Sequence, residues 1–374
     1  MKGNRFNIFD VLFYYFLFFV WLGVASSSLN SLESFYAFIT SSIFLLSLFY
    51  FKRCSWANLD LLNVSDRSLN LILYISICFF LLFYIQSPYS VLQSLTFHAL
   101  DIDKYDLRVS IISVPLYWVY EGVIKILGCL AIIFALKGGY LKASLGFSIY
   151  ALFYILSVQK FPIGILLLFA VFVFISLGKL KGKKLFLLPF FVLTVLLYFY
   201  SATFKDFKVE NLILFYDAIF NRLSVTSELV TFVYNEFITN DLRLGGAILP
   251  ERLFFILDFT VFSSESVRLP ALIMELRGGD FGGANSTFYT EGIAGFGIGF
   301  DLLYILIFYF LFFILFYMTK FLNPELRTLC LLVYSLNIIN LVNIQMWSIL
   351  NSCFFAFLFF LLVSCFSKLK VWEK

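Results

Sequence analysis

Long apolar runs recur along the whole chain, and they constrain its fold more than any other feature of the sequence. A run of about 18 or more apolar residues can cross a bilayer as a helix. The chain is 62% hydrophobic and only 13% charged, whereas soluble domains carry about 25% charged residues. Even a large soluble domain buries only about three quarters of the surface that its chain exposes. We therefore predict an all-α polytopic membrane protein.

About ten of these runs are predicted to be transmembrane helices. Strands of a β-barrel alternate apolar and polar residues, so the continuous runs exclude that fold. The first run also has the form of a cleaved signal peptide, and cleavage would leave the remaining topology unchanged. The predicted spans are 7–25, 35–51, 69–86, 112–136, 141–158, 162–178, 185–203, 293–318, 328–346 and 348–366.

The positive charges of the short loops fall almost entirely on one side of the predicted membrane. They are Lys2, Arg5, Lys52, Arg53, Arg67, Lys137, Lys142, Lys179, Lys181, Lys183, Lys184, Lys320, Arg327, Lys368, Lys370 and Lys374. By the positive-inside rule this side is the cytoplasm, and it holds both termini. The prediction divides the chain into a seven-span region 1–203, a large outward loop 204–292 and a three-span region 293–374 with a cytoplasmic tail.

The outward loop 204–292 is too apolar for a disordered linker, and its spacing predicts short helices at 212–220, 229–237 and 253–259. We therefore expect a small helical cap on the outer membrane face. The loop carries five arginines, a residue type that grips phosphate oxygens with two parallel hydrogen bonds. They are Arg222, Arg243, Arg252, Arg268 and Arg277. The alternative for each arginine is pairing with a nearby acid or solvation.

Glu291 lies where the chain is predicted to re-enter the membrane, ahead of a glycine-rich stretch. A carboxylate that is partly removed from water suits a general base. An acid that caps a helix N-terminus fits the same position, and the residues alone favour neither reading.

Other charged residues carry weaker predictions. Glu121 and Lys125 are four apart on one predicted span, so they form a structural ion pair or line a substrate path. Lys160 either extends to the interface or faces a lipid headgroup. His98 lies near three aspartates, which is a weak cation site at most. The six cysteines form no CxxC, and the net charge of +4 does not favour nucleic acid.

Three stretches resemble the Wzy-type oligosaccharide repeat-unit polymerases of bacteria, which make O-antigen and capsule. Tyr289-Thr-Glu-Gly-Ile-Ala-Gly-Phe-Gly-Ile-Gly-Phe is similar to the family's G-E-x-Y-x-N-F-G-x-x-G segment, with Glu291, Phe296 and Gly297 on matching positions. The family's Tyr and Asn are replaced by Ile293 and Gly295. Val158-Gln-Lys-Phe-Pro-Ile-Gly is similar to a basic motif that opens a middle span. Ala218-Ile-Phe-Asn-Arg-Leu is similar to an arginine-bearing segment early in the large loop.

The resemblance implies an inner-membrane glycosyltransferase that works on undecaprenyl-pyrophosphate-linked oligosaccharide at the periplasmic face. A growing glycan would move onto the non-reducing end of an incoming repeat unit, for O-antigen (lipopolysaccharide) or capsule. Glu291 is the expected catalytic base, and Arg222, Arg252, Arg277 and Lys160 are the expected pyrophosphate- and glycan-binding residues. We expect no metal and no cofactor. A polysaccharide chain-length regulator is a candidate partner besides the lipid substrate and the bilayer.

Two other functions compete with this one. An O-antigen ligase is expected to carry a histidine in the large loop, but the only histidine of the chain is His98. A lipid-linked oligosaccharide flippase is expected to have about twelve spans, short loops and several charges along a central cavity. This chain has one predicted intramembrane pair and one large loop, which favours the polymerase.

Overall fold

A computed structural model shows an all-α membrane protein. It describes residues 6–28, 30–90, 93, 107, 110–157, 159, 161–179, 227–240, 244, 272–273, 276, 287–340 and 346–369. Six helices in these ranges are long and apolar enough to cross a membrane. The prediction of a helical membrane protein is thereby confirmed.

The helices follow the predicted apolar runs. They are α1 (Asp10–Ser27), α2 (Leu32–Lys52), α3 (Asp66–Gln86), α4 (Tyr117–Leu136), α5 (Tyr140–Leu156), α6 (Phe161–Ser176), α7 (Thr290–Phe296), α8 (Phe300–Met318), α9 (Pro324–Ile339) and α10 (Met346–Leu369). Residues 17–21 give α1 one π-helical turn. A further helix covers residues 227–239, where the apolar spacing predicts one. The predicted span 185–203 lies outside the described residues, as do the predicted loop helices 212–220 and 253–259.

Polar residues fix where several helices begin. The side chains of Ser31, Ser65 and Asn323 accept backbone N–H groups at the starts of α2, α3 and α9. Such caps satisfy donors that have no partner within the helix. Pro324 follows Asn323 as the first residue of α9, a position where its missing N–H costs nothing.

Helix α4 lies at the centre of the bundle, with most of its residues buried. It packs against α3, α5, α6, α9 and α10. At Gly128 an added Cβ would lie 2.8 Å from the Tyr150 ring and 2.9 Å from Leu166. A small residue at this position therefore lets neighbouring helices approach α4 closely. Small residues are common at helix contacts in membranes, because lipid is as apolar as the side chains and the hydrophobic effect does not bring the helices together.

Several of the described basic residues lie at one end of the bundle. A short antiparallel pair joins β1 (Phe6–Asn7) to β2 (Asn58–Leu59) there. Lys52 lies 3.7 Å from Asp10, and Lys137 lies 2.7 Å from Asp66. The first contact joins the first turn of α1 to the last turn of α2. The second joins the first turn of α3 to the end of α4. The structure thus agrees with the alternating helix directions predicted from the charges.

The structure differs from the prediction at the eighth span. The sequence predicts a continuous helix from 293, but the chain turns at Gly297 and Gly299, and the long helix starts at Phe300. Both glycines have positive φ, at 94° and 92°. This backbone region strains other residue types, so the glycines break the apolar run into two helices.

Candidate functional site

The site is built on a tight hairpin between α7 and α8, opposite the basic end of the bundle. After the turn at Gly297 and Gly299, the start of α8 lies against the first turn of α7. A Cβ on Gly292 would be 2.3 Å from the Phe300 carbonyl oxygen and 2.7 Å from the Asp301 nitrogen. Only a glycine allows this approach, and the approach fixes where the neighbouring Glu291 lies.

Glu291 is buried in this hairpin, with 3% of its surface exposed. The Met346 backbone N–H, at the start of α10, donates a hydrogen bond to the carboxylate. The acid therefore lies at the positive end of the α10 dipole, which favours negative charge. The sequence suggests an acid at the N-terminus of its own helix, and Glu291 does lie in the first turn of α7, but the N–H group that donates to it belongs to α10.

Burial raises the pKa of Glu291 to about 8, because the charged form loses its hydration, and the Met346 N–H opposes this only in part. The Glu291 Oε2 atom has no hydrogen-bond partner among the described residues. A buried acid with one free oxygen and a pKa near neutrality is suited to proton transfer.

Two further buried polar atoms lie beside Glu291. The Tyr304 hydroxyl interacts electrostatically with the Glu291 carboxylate, and it lies close to the Trp347 indole N–H. Neither the Tyr304 hydroxyl nor the Trp347 indole N–H meets the distance and angle of a hydrogen bond with any described residue. Buried polar atoms are nearly always paired, so such exceptions call for an explanation. We name Glu291, Tyr304, Met346 and Trp347 the Glu291 cluster.

A second buried acid, Asp301, joins α8 to α2 and to the helix at 227–239. Its carboxylate accepts hydrogen bonds from the hydroxyls of Tyr234 at 2.7 Å, Thr40 at 2.5 Å and Tyr36 at 3.4 Å. Tyr36 in turn accepts the Gly299 N–H at 3.0 Å. The helix at 227–239 is thereby tied to α2 and to the glycine turn beside Glu291.

A cavity of about 280 Å³ lies between α4, α9 and α10, and we name it the polar cavity for the Asn, Ser, Glu and Lys side chains in its lining. It is lined by Trp118, Glu121, Gly122, Lys125, Asn337, Asn340, Ser348, Ile349, Asn351, Ser352 and Phe355. Glu121 and Lys125 form the predicted ion pair, at 2.9 Å. The pair also borders a cavity. Both predictions, a structural ion pair and a substrate path, therefore remain open.

The other predicted site residues are not described. Arg222, Arg252, Arg277 and Lys160 lie outside the described residues, and so do His98 and its neighbouring aspartates. Whether they approach Glu291 stays a prediction. Within the described part of the chain, no three His, Cys, Asp or Glu residues are grouped as metal ligands.

Sequence reasoning missed Asp301 and the amides of the cavity. A signal was present, because Ser348, Asn351 and Ser352 repeat at helical spacing and so share one face of an apolar helix. Their meeting with α4 was not readable, since that contact joins distant parts of the chain. Comparison with models of known protein families, with curated proteins and with solved structures finds no match.

Proposed function

We propose that the protein is a glycosyltransferase that polymerises undecaprenyl-pyrophosphate-linked repeat units at the periplasmic face of the bacterial inner membrane. The observation that carries the proposal is the buried Glu291, on the segment that resembles the Wzy-type polymerases. Its free oxygen and raised pKa are the properties that the reaction needs in a base.

In this proposal Glu291 removes the proton from the acceptor hydroxyl while that oxygen attacks the anomeric carbon of the growing glycan. The bond from that carbon to the pyrophosphate breaks, and the lipid pyrophosphate leaves with the bonding electrons. Cations must stabilise this leaving group, and Arg222, Arg252, Arg277 and Lys160 are the residues proposed for it. Tyr304 and Trp347 offer hydrogen-bond donors near the reacting hydroxyl.

The proposed topology has ten spans, with 185–203 as the seventh and 204–292 as a large periplasmic loop. Both termini face the cytoplasm in this arrangement. It places the basic end of the bundle inside and the Glu291 cluster outside, on the side where lipid-linked repeat units are polymerised. The docking of helix 227–239 onto α2 and α8 supports a loop that folds against the bundle.

A glycan ladder on a gel tests the function. The gene is deleted in the source bacterium and replaced by wild type, Glu291→Gln or the control Asn70→Leu, each at matched membrane level. We expect single-repeat glycolipid in the deletion strain, a full ladder with wild type and Asn70→Leu, and no ladder with Glu291→Gln. Repeat units held on the cytoplasmic side after deletion would identify a flippase instead.

A further inference from the structure

The walls of the polar cavity combine hydrogen-bonding groups with aromatic rings. Amides both donate and accept hydrogen bonds, as do hydroxyls. The polar, uncharged lining residues are Asn337, Asn340, Asn351, Ser348 and Ser352. On the apolar side, the Trp118 and Phe355 rings lie 5.8 Å apart, edge to face. A sugar ring presents the matching surface, with hydroxyls around its rim and C–H groups on its faces.

Close helix packing builds the aromatic wall. A Cβ on Gly122 would lie 2.3 Å from the Phe355 ring, so the glycine is what admits this ring against α4. Trp118 stands one turn before Gly122 and is 36% exposed. The cavity therefore has its aromatic edge at the surface of the bundle, where a headgroup can enter while its lipid chain stays outside.

The charges of the cavity favour a neutral ligand. Glu121 and Lys125 neutralise each other at 2.9 Å and are the charged residues of the lining. A pyrophosphate needs uncompensated cations, which this lining does not supply. The cavity is thus suited to the sugar end of a lipid-linked glycan rather than to its phosphate end.

The size of the cavity fits one sugar ring. Its volume of 280 Å³ is far above the roughly 10–15 Å³ that one water needs on the same measure, so the cavity is too large for a bare ion. From Trp118 at its rim to Lys125, α4 rises about 10 Å. Such a space has room for one hexose with its substituents.

The cavity and the Glu291 cluster share the first turn of α10. Ser348 lines the cavity. It lies two residues after Met346, whose backbone N–H donates a hydrogen bond to Glu291. We propose that the polar cavity binds a neutral sugar of the acceptor glycan beside the Glu291 cluster. This assignment rests on the function proposed above.

Sugar binding by the full-length protein in lipid nanodiscs tests the proposal. Saturation-transfer NMR measures glucose, galactose, mannose, rhamnose, N-acetylglucosamine and N-acetylgalactosamine as separate probes. We expect at least one to bind wild type, and to bind Asn351→Leu and Ser348→Val about tenfold more weakly, because each variant removes hydrogen bonds from the lining. Asn70→Leu, which removes an amide from α3 near Lys142, should bind like wild type.

Two results would overturn the assignment: no probe binds wild type, or the bound probe is unaffected by both cavity variants although each is folded by its thermal transition. Glycan ladders separate this failure from that of the function. If deletion collapses the ladder and both cavity variants restore it fully, the polymerase stands and the acceptor site is wrong. If deletion leaves the ladder intact, the polymerase fails, and probe binding lost in the variants then identifies a sugar site of another function.

Discussion

At the scale of single residues, Glu291 combines a structural contact with an unused oxygen. One side of its carboxyl group caps α10 through Met346, while Oε2 has no partner among the described residues. Glutamine keeps the size of the side chain and an acceptor for the Met346 N–H. Glu291→Gln therefore removes the ionisable group and retains the contact with α10, which makes its effects interpretable.

The pH dependence of stability follows from the raised pKa of Glu291. With a folded-state pKa of about 8 against an ordinary 4.5, the folded protein holds a proton that the unfolded chain releases. The stabilisation is complete below pH 4.5 and is lost as the pH rises to about 8, by at most about 1.4 kcal/mol per pH unit. Thermal unfolding from pH 5 to 9 should show a steeper loss for wild type than for Glu291→Gln. Parallel curves would contradict the raised pKa.

Gly292 is the second residue on which the site depends. A methyl group there would overlap the Phe300 carbonyl, so Gly292→Ala must open the hairpin and is expected to cost about 1–3 kcal/mol. Thermal unfolding of the purified protein measures the loss. At Gly139 the nearest atom to an added Cβ is 3.5 Å away, so Gly139→Ala should change stability far less. Equal effects would show that the contact does not hold the hairpin.

At the scale of elements, the helix at 227–239 is held by hydroxyl groups and one close backbone approach. Ser27 bonds Thr231 at 3.2 Å, and Ser31 bonds Asn235 at 3.1 Å. Gly23 lies so close to this helix that a Cβ would be 2.1 Å from the Ser227 hydroxyl oxygen. The segment thus lies across the ends of α1 and α2, next to the turn that positions Glu291.

Tyr234→Phe tests whether Asp301 anchors this helix. The change removes one hydrogen bond to a buried carboxylate, worth about 1.5–3 kcal/mol, without altering the apolar packing of the ring. We expect faster proteolysis within 204–286 and a lower unfolding temperature. Tyr74→Phe, at an exposed tyrosine of α3, is the matched control. Unchanged proteolysis in Tyr234→Phe would mean that the Asp301 contacts do not anchor the loop.

The helices were predictable from the sequence because the length of an apolar run fixes whether it can span a membrane. The break at Gly297 was not predictable, because a glycine can lie within a continuous helix. The close contact between Gly292 and Phe300 favours the turn, and that contact cannot be read from the sequence. The position of Glu291 near a membrane boundary was predicted, but its hydrogen bond to Met346 was not. Such a contact depends on how α7 and α10 pack, which single-helix patterns do not encode.

At the scale of the whole molecule, the polar groups separate into two ends. The ion pairs of Lys52 and Lys137 and the β1–β2 pair lie at one end. The Glu291 cluster, the Asp301 contacts and the polar cavity lie toward the other. This polarity supports the proposed glycosyltransferase, which would work at one membrane face. The loop charges of the sequence predict a basic end. The cavity was not predictable, because it forms where α4 packs against α9 and α10.

The rate of glycan elongation as a function of pH tests whether Glu291 is the catalytic base. Purified protein in nanodiscs is given lipid-linked repeat units extracted from the deletion strain, and chain growth is followed from pH 6 to 9.5. We predict a wild-type rate that rises with pH and levels off above about 8, the pKa of Glu291, and a rate about 10²–10⁴ times lower and without that rise in Glu291→Gln. Elongation by Glu291→Gln at the wild-type rate would show that Glu291 is not the base.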